Sequence, residues 1–133
     1  MKTLFDSSAI FKAIKENQID CLVGNCTLEL ARYELGNVLW KNYILQEKVS
    51  DQEAKALTKI IKQTLNLMTV IQIECTEEEI LETAKKLEIT FYDASYVSHA
   101  KTEQLALITE DQQLTKKVAS YIKASTLDSV VKT

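Results

Sequence analysis

The run LALIT at residues 105–109 constrains this 133-residue chain more than any other feature. Five residues without a charge, flanked on both sides by helical spacing, fit a strand buried on both faces. Such strands belong to parallel sheets covered by helices above and below. The rest of the chain reads in the same alternation. KTLF at 2–5 is a short strand that ends at Asp6, and SSAIFKAIKEN follows as a helix with Ile10, Ala13 and Ile14 on one face. DCLV at 20–23 reads as a second strand closed by Gly24 and Asn25, after which Thr27 is placed to cap a long helix reaching about Lys48.

Ser50 to Glu53 spell a capping box, in which hydroxyl and carboxylate satisfy the first free amides of a helix running to about Leu67. MTVIQI at 68–73 is rich in β-branched residues and reads as a third strand. Thr76 to Glu79 form another capping box, opening a helix to Leu87. Asp93 begins a helix to about Glu103, a further helix follows Asp111, and KASTL at 123–127 supplies a last short edge strand. Strand alternating with helix requires right-handed crossovers and gives an α/β fold, an α/β/α sandwich around a mostly parallel sheet. With 46% hydrophobic residues, one domain spanning 1–133 can bury its own core.

No window approaches the roughly 18 apolar residues of a membrane span, and MKTLFDSS puts an acid where a signal peptide needs apolar residues. The expectation is a soluble, cytoplasmic protein. Cys21, Cys26 and Cys75 form no CxxC pair, and their odd number argues for small core residues in a reducing compartment. Proline is absent and Gly24 and Gly36 are the only glycines, which excludes glycine-rich phosphate loops and flexible linkers. The net charge of -3, with Arg32 the single guanidinium, excludes the basic footprint of a protein held to nucleic acid by phosphate contacts alone.

The chemistry lies in four acids. Asp6 ends the first strand and Asp111 lies just past the strand at 105–109, so if these strands are neighbours the two carboxylates face one crevice. Glu34 has Leu30, Ala31, Asn37 and Val38 at helical spacing, which places it in or beside an apolar stripe. Asp93 opens an inward face carried on by Tyr96, Val97 and Ala100. Buried carboxylates brought together raise one another's pKa unless a cation neutralises them. An all-oxygen donor set suits magnesium or manganese and not structural zinc. Taken singly, Asp6, Asp93 and Asp111 are better explained as helix N-caps or solvated acids; Glu34, in a helix interior, is not, and the joint placement of the four favours a site. His99 is the only histidine, which excludes cleavage by a histidine pair and fits a surface or packing residue.

The segments DSSAI at 6–10, YELGNVLWK at 33–41, YDASYVSHA at 92–100 and ITEDQQL at 108–114 together resemble the PIN-domain nucleases, especially the short VapC-like toxins of prokaryotic toxin–antitoxin pairs. The resemblance covers essentially the whole chain. It implies strand order 3-2-1-4-5 and a metal-dependent endoribonuclease in which Asp6, Glu34, Asp93 and Asp111 hold one or two Mg2+ or Mn2+ ions, supported by Ser8 and Thr109. Glu110, at the variable position of TxDxxL, is expected to face away. A homodimer and a cognate antitoxin protein are the partners it implies, beside the RNA substrate.

An acidic nuclease has to hold RNA through a few lysines, with Lys12, Lys15, Lys41 and Lys101 as candidates that are otherwise ordinary solvated charges. The helix at 27–48 carries Tyr33, Leu39, Trp40, Tyr43, Ile44 and Leu45 outside its main stripe, so either the next helix or a partner covers a second face. Outside the nuclease class, a regulatory module would keep the fold without the catalysis; within it, a housekeeping RNA-processing enzyme would share the chemistry of a toxin. A phosphoacceptor receiver domain is disfavoured, because the third strand ends on Glu74 and not on an aspartate.

Overall fold

The run at 105–109 forms an interior strand of the sheet. In a computed structural model that describes residues 2–131, β4 (Ala106–Ile108) lies between β1 (Thr3–Phe5) and β5 (Ala124–Ser125), parallel to both. β2 (Cys26–Leu28) and β3 (Thr69–Ile71) extend the sheet on the far side of β1, giving the order β3-β2-β1-β4-β5 with every pairing parallel. This is the expected sandwich and the strand order that the resemblance implied.

Register explains how so short a sheet carries two cores. Leu4 pairs with Leu107 and Phe5 with Ile108, and side chains alternate across a strand. Phe5 and Ile108 accordingly pack with Ile10, Leu35 and Leu65, from α1 (Ser7–Lys15), α2 (Leu30–Trp40) and α3 (Asp51–Asn66). Leu4 and Leu107 pack on the other face with Tyr96, Val97 and Leu114, from α5 (Phe91–Glu103) and α6 (Gln112–Val118). α4 (Glu77–Leu87) closes against α5 through Ile80, Ala84 and Ala94. Among the described residues no helix is long and apolar enough to cross a membrane.

The second strand departs from the expectation. Ile19–Leu22 form a 3-10 turn, and the strand is displaced to Cys26–Leu28. Asn25 is the cause: its side chain accepts from Thr3 N at 3.0 Å and donates to Cys21 O at 2.9 Å, so it starts β2 rather than closing a strand. Gly24 makes the bend with a φ of +77°, where a side chain would be strained. Thr27 therefore sits inside the sheet, donating to Phe5 O at 2.7 Å, and does not cap α2. That helix ends at Trp40 and continues as one π-helical turn over Lys41–Leu45, short of Lys48.

The caps divide similarly. Ser50 and Glu53 form their reciprocal box, whereas the Thr76 side chain makes no cap hydrogen bond. α5 starts two residues before Asp93 and is capped by Thr90. Cys26 is buried and Cys21 half-buried, but Cys75 is exposed on the β3–α4 loop, so it is no core residue.

Glu110 faces away from the crevice as expected, and it is a structural tie. Its carboxylate accepts from Leu127 N at 2.7 Å and from Lys12 Nζ at 3.0 Å, joining the end of β4 to α1 and to the C-terminal turn. Glu110→Ala strands a backbone amide that is partly shielded from water; urea denaturation should show a loss of about 1–2 kcal/mol, with Glu110→Gln retaining part of it.

Candidate active site

Parallel pairing of β1 with β4 brings Asp6 and Asp111 to the same end of the sheet. Asp6 N donates to Ile108 O at 3.1 Å, so the residue that leaves β1 is still laddered to β4. The Asp6 carboxylate caps α1, accepting from Ala9 N at 3.0 Å and from the Ser8 hydroxyl at 2.6 Å, and it is 7% exposed. Ser8 Oγ also accepts from Glu110 N at 3.0 Å and lies 3.3 Å from Thr109 Oγ1. The serine proton is committed to Asp6, so in this network Thr109 is the donor across the 3.3 Å contact. Thr109 in turn accepts from Asp111 N at 3.1 Å. Ser8 and Thr109 thus form the continuous polar link between the two aspartates.

Asp111 is exposed and caps α6, accepting from Leu114 N at 3.0 Å. The capping interpretation therefore holds for Asp6 and Asp111, and the site interpretation is compatible with it, because each cap uses only one carboxylate oxygen. Asp93 is different. Thr90 Oγ1 accepts from Asp93 N at 3.0 Å and takes over the capping, which leaves the half-buried Asp93 carboxylate without that role. Glu34, half-buried on α2, accepts from the Tyr96 hydroxyl at 2.8 Å.

The electrostatics tie the four together. Burial raises the pKa of Asp6 above the usual carboxylate range, against the hydrogen bonds from Ser8 and Ala9 that favour its charged form. Burial raises that of Glu34 too, the bonds from Tyr96 and Ser7 opposing and the charges of Asp6 and Asp93 adding to it. Asp93 is raised by burial and then by Asp111 and Asp6, with Lys117 and Thr90 pulling the other way. Each acid therefore lies in the field of at least one other. Tyr96 is 1% exposed, and burial beside the Glu34 charge pushes its phenol far above the ordinary range, so it stays protonated and remains a donor.

A hard divalent cation fits this donor set chemically: all oxygens, like charges, and three carboxylates whose charged form burial disfavours. Among the described residues, however, no three Asp, Glu, His or Cys side chains stand close enough together to form a metal cage. The acids share one crevice and one field without converging on a point.

The sequence did not single out Tyr96 as a site residue, although a buried Glu34 needs a donor and a tyrosine three residues after Asp93 was the signal for one. Two lysines expected on the substrate are engaged elsewhere. Lys12 is held by Glu110 and lies 3.6 Å from Asp128, and Lys101 donates to Tyr121 O at 3.1 Å with its ammonium 4.7 Å from that ring. His99 is half-buried, its Nε2 enclosed without a hydrogen-bond partner, in a cavity with Gln72, Glu74, Ser98 and Glu103 that contains none of the four acids. It packs, and does not join the site.

The PIN domain family matches residues 4–119. The chain is 33% identical over 100 residues to the exonuclease VapC9 of Pyrobaculum aerophilum, an alignment covering 75% of this chain and 71% of that one. It is 28% identical over 130 residues to the ribonuclease VapC3 of the same organism, covering 92% and 98%. Among solved structures, PAE2754 from Pyrobaculum aerophilum superposes with a TM-score of 0.80 at 29% identity, covering 97% of this chain and 85% of that one. A toxin–antitoxin complex from Klebsiella pneumoniae contains a chain with the same fold, at a TM-score of 0.69, 18% identity and coverage of 95% and 98%. A family match that begins in β1 and ends just past α6 takes in every strand but the last and every acid of the crevice: the chain belongs to the PIN-domain family and is homologous to the VapC-family toxin ribonucleases.

Proposed function

We propose that this protein is a divalent-metal-dependent endoribonuclease, the toxin of a type II toxin–antitoxin pair, in which Asp6, Glu34, Asp93 and Asp111 hold the metal and Ser8 and Thr109 support them. The observation that carries this reading is the shared electrostatic field of the four acids at the carboxyl ends of β1 and β4. Such a field is unfavourable in a protein that has no cation to place in it. The names of the VapC relatives support the nuclease class. The Klebsiella complex supports an antitoxin partner, and the exposed Trp40, Ile44 and Leu45 at the end of α2 support a homodimer.

Each residue has a definite part. One oxygen of Asp6 is held by its bonds from Ala9 N and Ser8, so the second oxygen is the one that would meet an ion. Tyr96 orients Glu34, and its raised pKa keeps that bond in place through the physiological range. Asp93 and Asp111 bring charge from α5 and from the start of α6. When bound, one or two Mg2+ or Mn2+ ions supply Lewis-acid activation of water and neutralise charge on the phosphodiester. The buried acids bind and orient the ion and, once ionised, hold no proton that competes with it.

Purified protein should cleave a cellular RNA pool with Mn2+ or Mg2+ and not with chelator, and a circular RNA should also be cut if cleavage is internal. Asp6→Asn and Asp93→Asn should each lower the rate about 10²- to 10³-fold, the scale of a lost electrostatic stabiliser. Tyr96→Phe should cost about 10- to 100-fold in metal affinity or activity. Folded variants that cleave like the parent would refute the site. Absence of cleavage together with absence of metal binding would favour the regulatory module, the reading that the open spacing of the acids suits.

Asp6, Glu34 and Asp93 keep their protons to higher pH in the folded chain than in the unfolded one. Between the ordinary carboxylate pKa of about 4 and those raised values the folded state binds more protons, so metal-free stability should fall as pH rises through that window. Adding Mg2+ or Mn2+ at neutral pH should reverse this, by about 2.7 kcal/mol at a hundredfold excess over Kd. Below the window the same addition should leave the thermal midpoint unmoved, and calorimetry across pH reads both arms. Light scattering at micromolar concentration should give twice the 15.1 kDa chain mass; a monomer mass would exclude the homodimer.

A further inference from the structure

The crevice does not end at the acids. Glu34 opens onto a groove that it lines with Ser7, Leu30, Tyr33, Val38 and Tyr92. On the other side of Tyr92 lies a second cavity of about 320 Å³, walled by Leu28, Ile71, Ile73 and Phe91 and by the same Leu30 and Tyr92. Tyr92 is next to Asp93 in the chain, so the ring shared by the two spaces adjoins one acid while the groove contains another. The two tyrosines are held largely in water, Tyr33 70% and Tyr92 61% exposed, and Phe91 is 38% exposed beside them.

Resting on the nuclease reading, we infer that Tyr92, flanked by Phe91 and Tyr33, is a platform on which unpaired bases of single-stranded RNA stack beside the phosphate to be cut. A strand whose phosphate lies over the acids has to lay its neighbouring nucleosides along the surfaces leading away from them. The groove and the cavity contain no lysine, arginine or histidine in their walls, and they contain Glu29 and Glu34. Backbone phosphates are therefore repelled there, and the uncharged bases are the part of the strand that suits an apolar, aromatic wall. Arg32 does not alter the balance, because it is held at 2.7 Å by Glu29. Of the four candidate lysines, Lys12 and Lys101 are engaged with Glu110 and Tyr121, which leaves Lys15 and Lys41 for phosphate, so stacking has to supply more of the binding.

Three consequences distinguish this occupant. Bases paired inside a duplex cannot enter a wall cavity, so single strands bind and stems do not. Salt should matter little: at roughly 0.7 per phosphate neutralised on a single strand, the slope of log Kd against log salt should stay below about 1.5. Selectivity among bases should be modest, because every base has a face to stack.

The test uses the Asp6→Asn protein with Mg2+, in which asparagine still caps α1, and fluorescence anisotropy of a short labelled single-stranded RNA. Tyr92→Ala and Tyr33→Ala should weaken binding about 5- to 150-fold, the effect of removing one stacked base, and Tyr92→Phe should bind like its parent. Both tyrosines are exposed, so unchanged thermal midpoints should confirm that folding is intact. Unchanged affinity in both alanine variants, or equal binding of a stem of the same sequence, overturns the platform. So does an amphipathic peptide that fills the groove while strand affinity ignores Tyr92. Parallel cleavage assays in the Asp6 background separate the two claims. Cleavage with no dependence on Tyr92 or Tyr33 removes the platform alone; Tyr92-dependent binding without metal-dependent cleavage removes the nuclease reading and leaves the platform.

Discussion

The parallel pairing of β1 with β4 is the contact on which the remaining structure depends. These two strands are far apart in the chain, and a three-residue register, Thr3 with Ala106 through Phe5 with Ile108, joins them. That register sends Leu4 and Leu107 to one core and Phe5 and Ile108 to the other, so it builds both faces at once. It also puts Ser8 within reach of Glu110 N and Thr109, and through them relates Asp6 to Asp111. A slip of one residue would reverse the faces and separate the aspartates together.

Placing carboxylates at this seam has an energetic cost that the fold distributes. Asp6 is buried and its ionised form is disfavoured, yet its oxygen satisfies an otherwise open amide at the start of α1. Glu34 is stabilised by the Tyr96 hydroxyl, which has no alternative protonation state at working pH. The site is thus an unfavourable charge arrangement held in place by favourable hydrogen bonds. The two contributions respond to different variables: charge to pH and cations, hydrogen bonding to geometry.

Much of this was legible in the sequence, and the failures have physical reasons. LALIT declared a buried parallel strand, the Ser50 and Glu53 pair declared a helix start, and the inward spacing of Glu34 and Asp93 declared acids that solvent alone does not explain. The second strand was misplaced because Gly24 and Asn25 look like a closing turn. Only the pairing of Asn25 with Thr3 and Cys21 reveals that it opens β2, and those are contacts between segments. Asp6 read equally as a cap and as a site residue for a related reason: that it caps α1 while Ser8 is recruited across the sheet by Glu110 N shows only in contacts between segments. Tyr96 was seen as an inward residue, but its hydroxyl acquires a purpose only once α2 and α5 face each other. Local pattern gives the elements; roles that join two elements need the fold.

The sheet ends abruptly at both margins. β3 and β5 are three and two residues long, and the next segments on either side leave the sheet as loop or 3-10 turn. An edge that short offers a passing strand only one or two ladder bonds, which protects the chain against edge-to-edge aggregation. It also closes one route of recognition. A protein that docks here has little to gain from adding a strand, and must be read by helix faces and side-chain grooves instead.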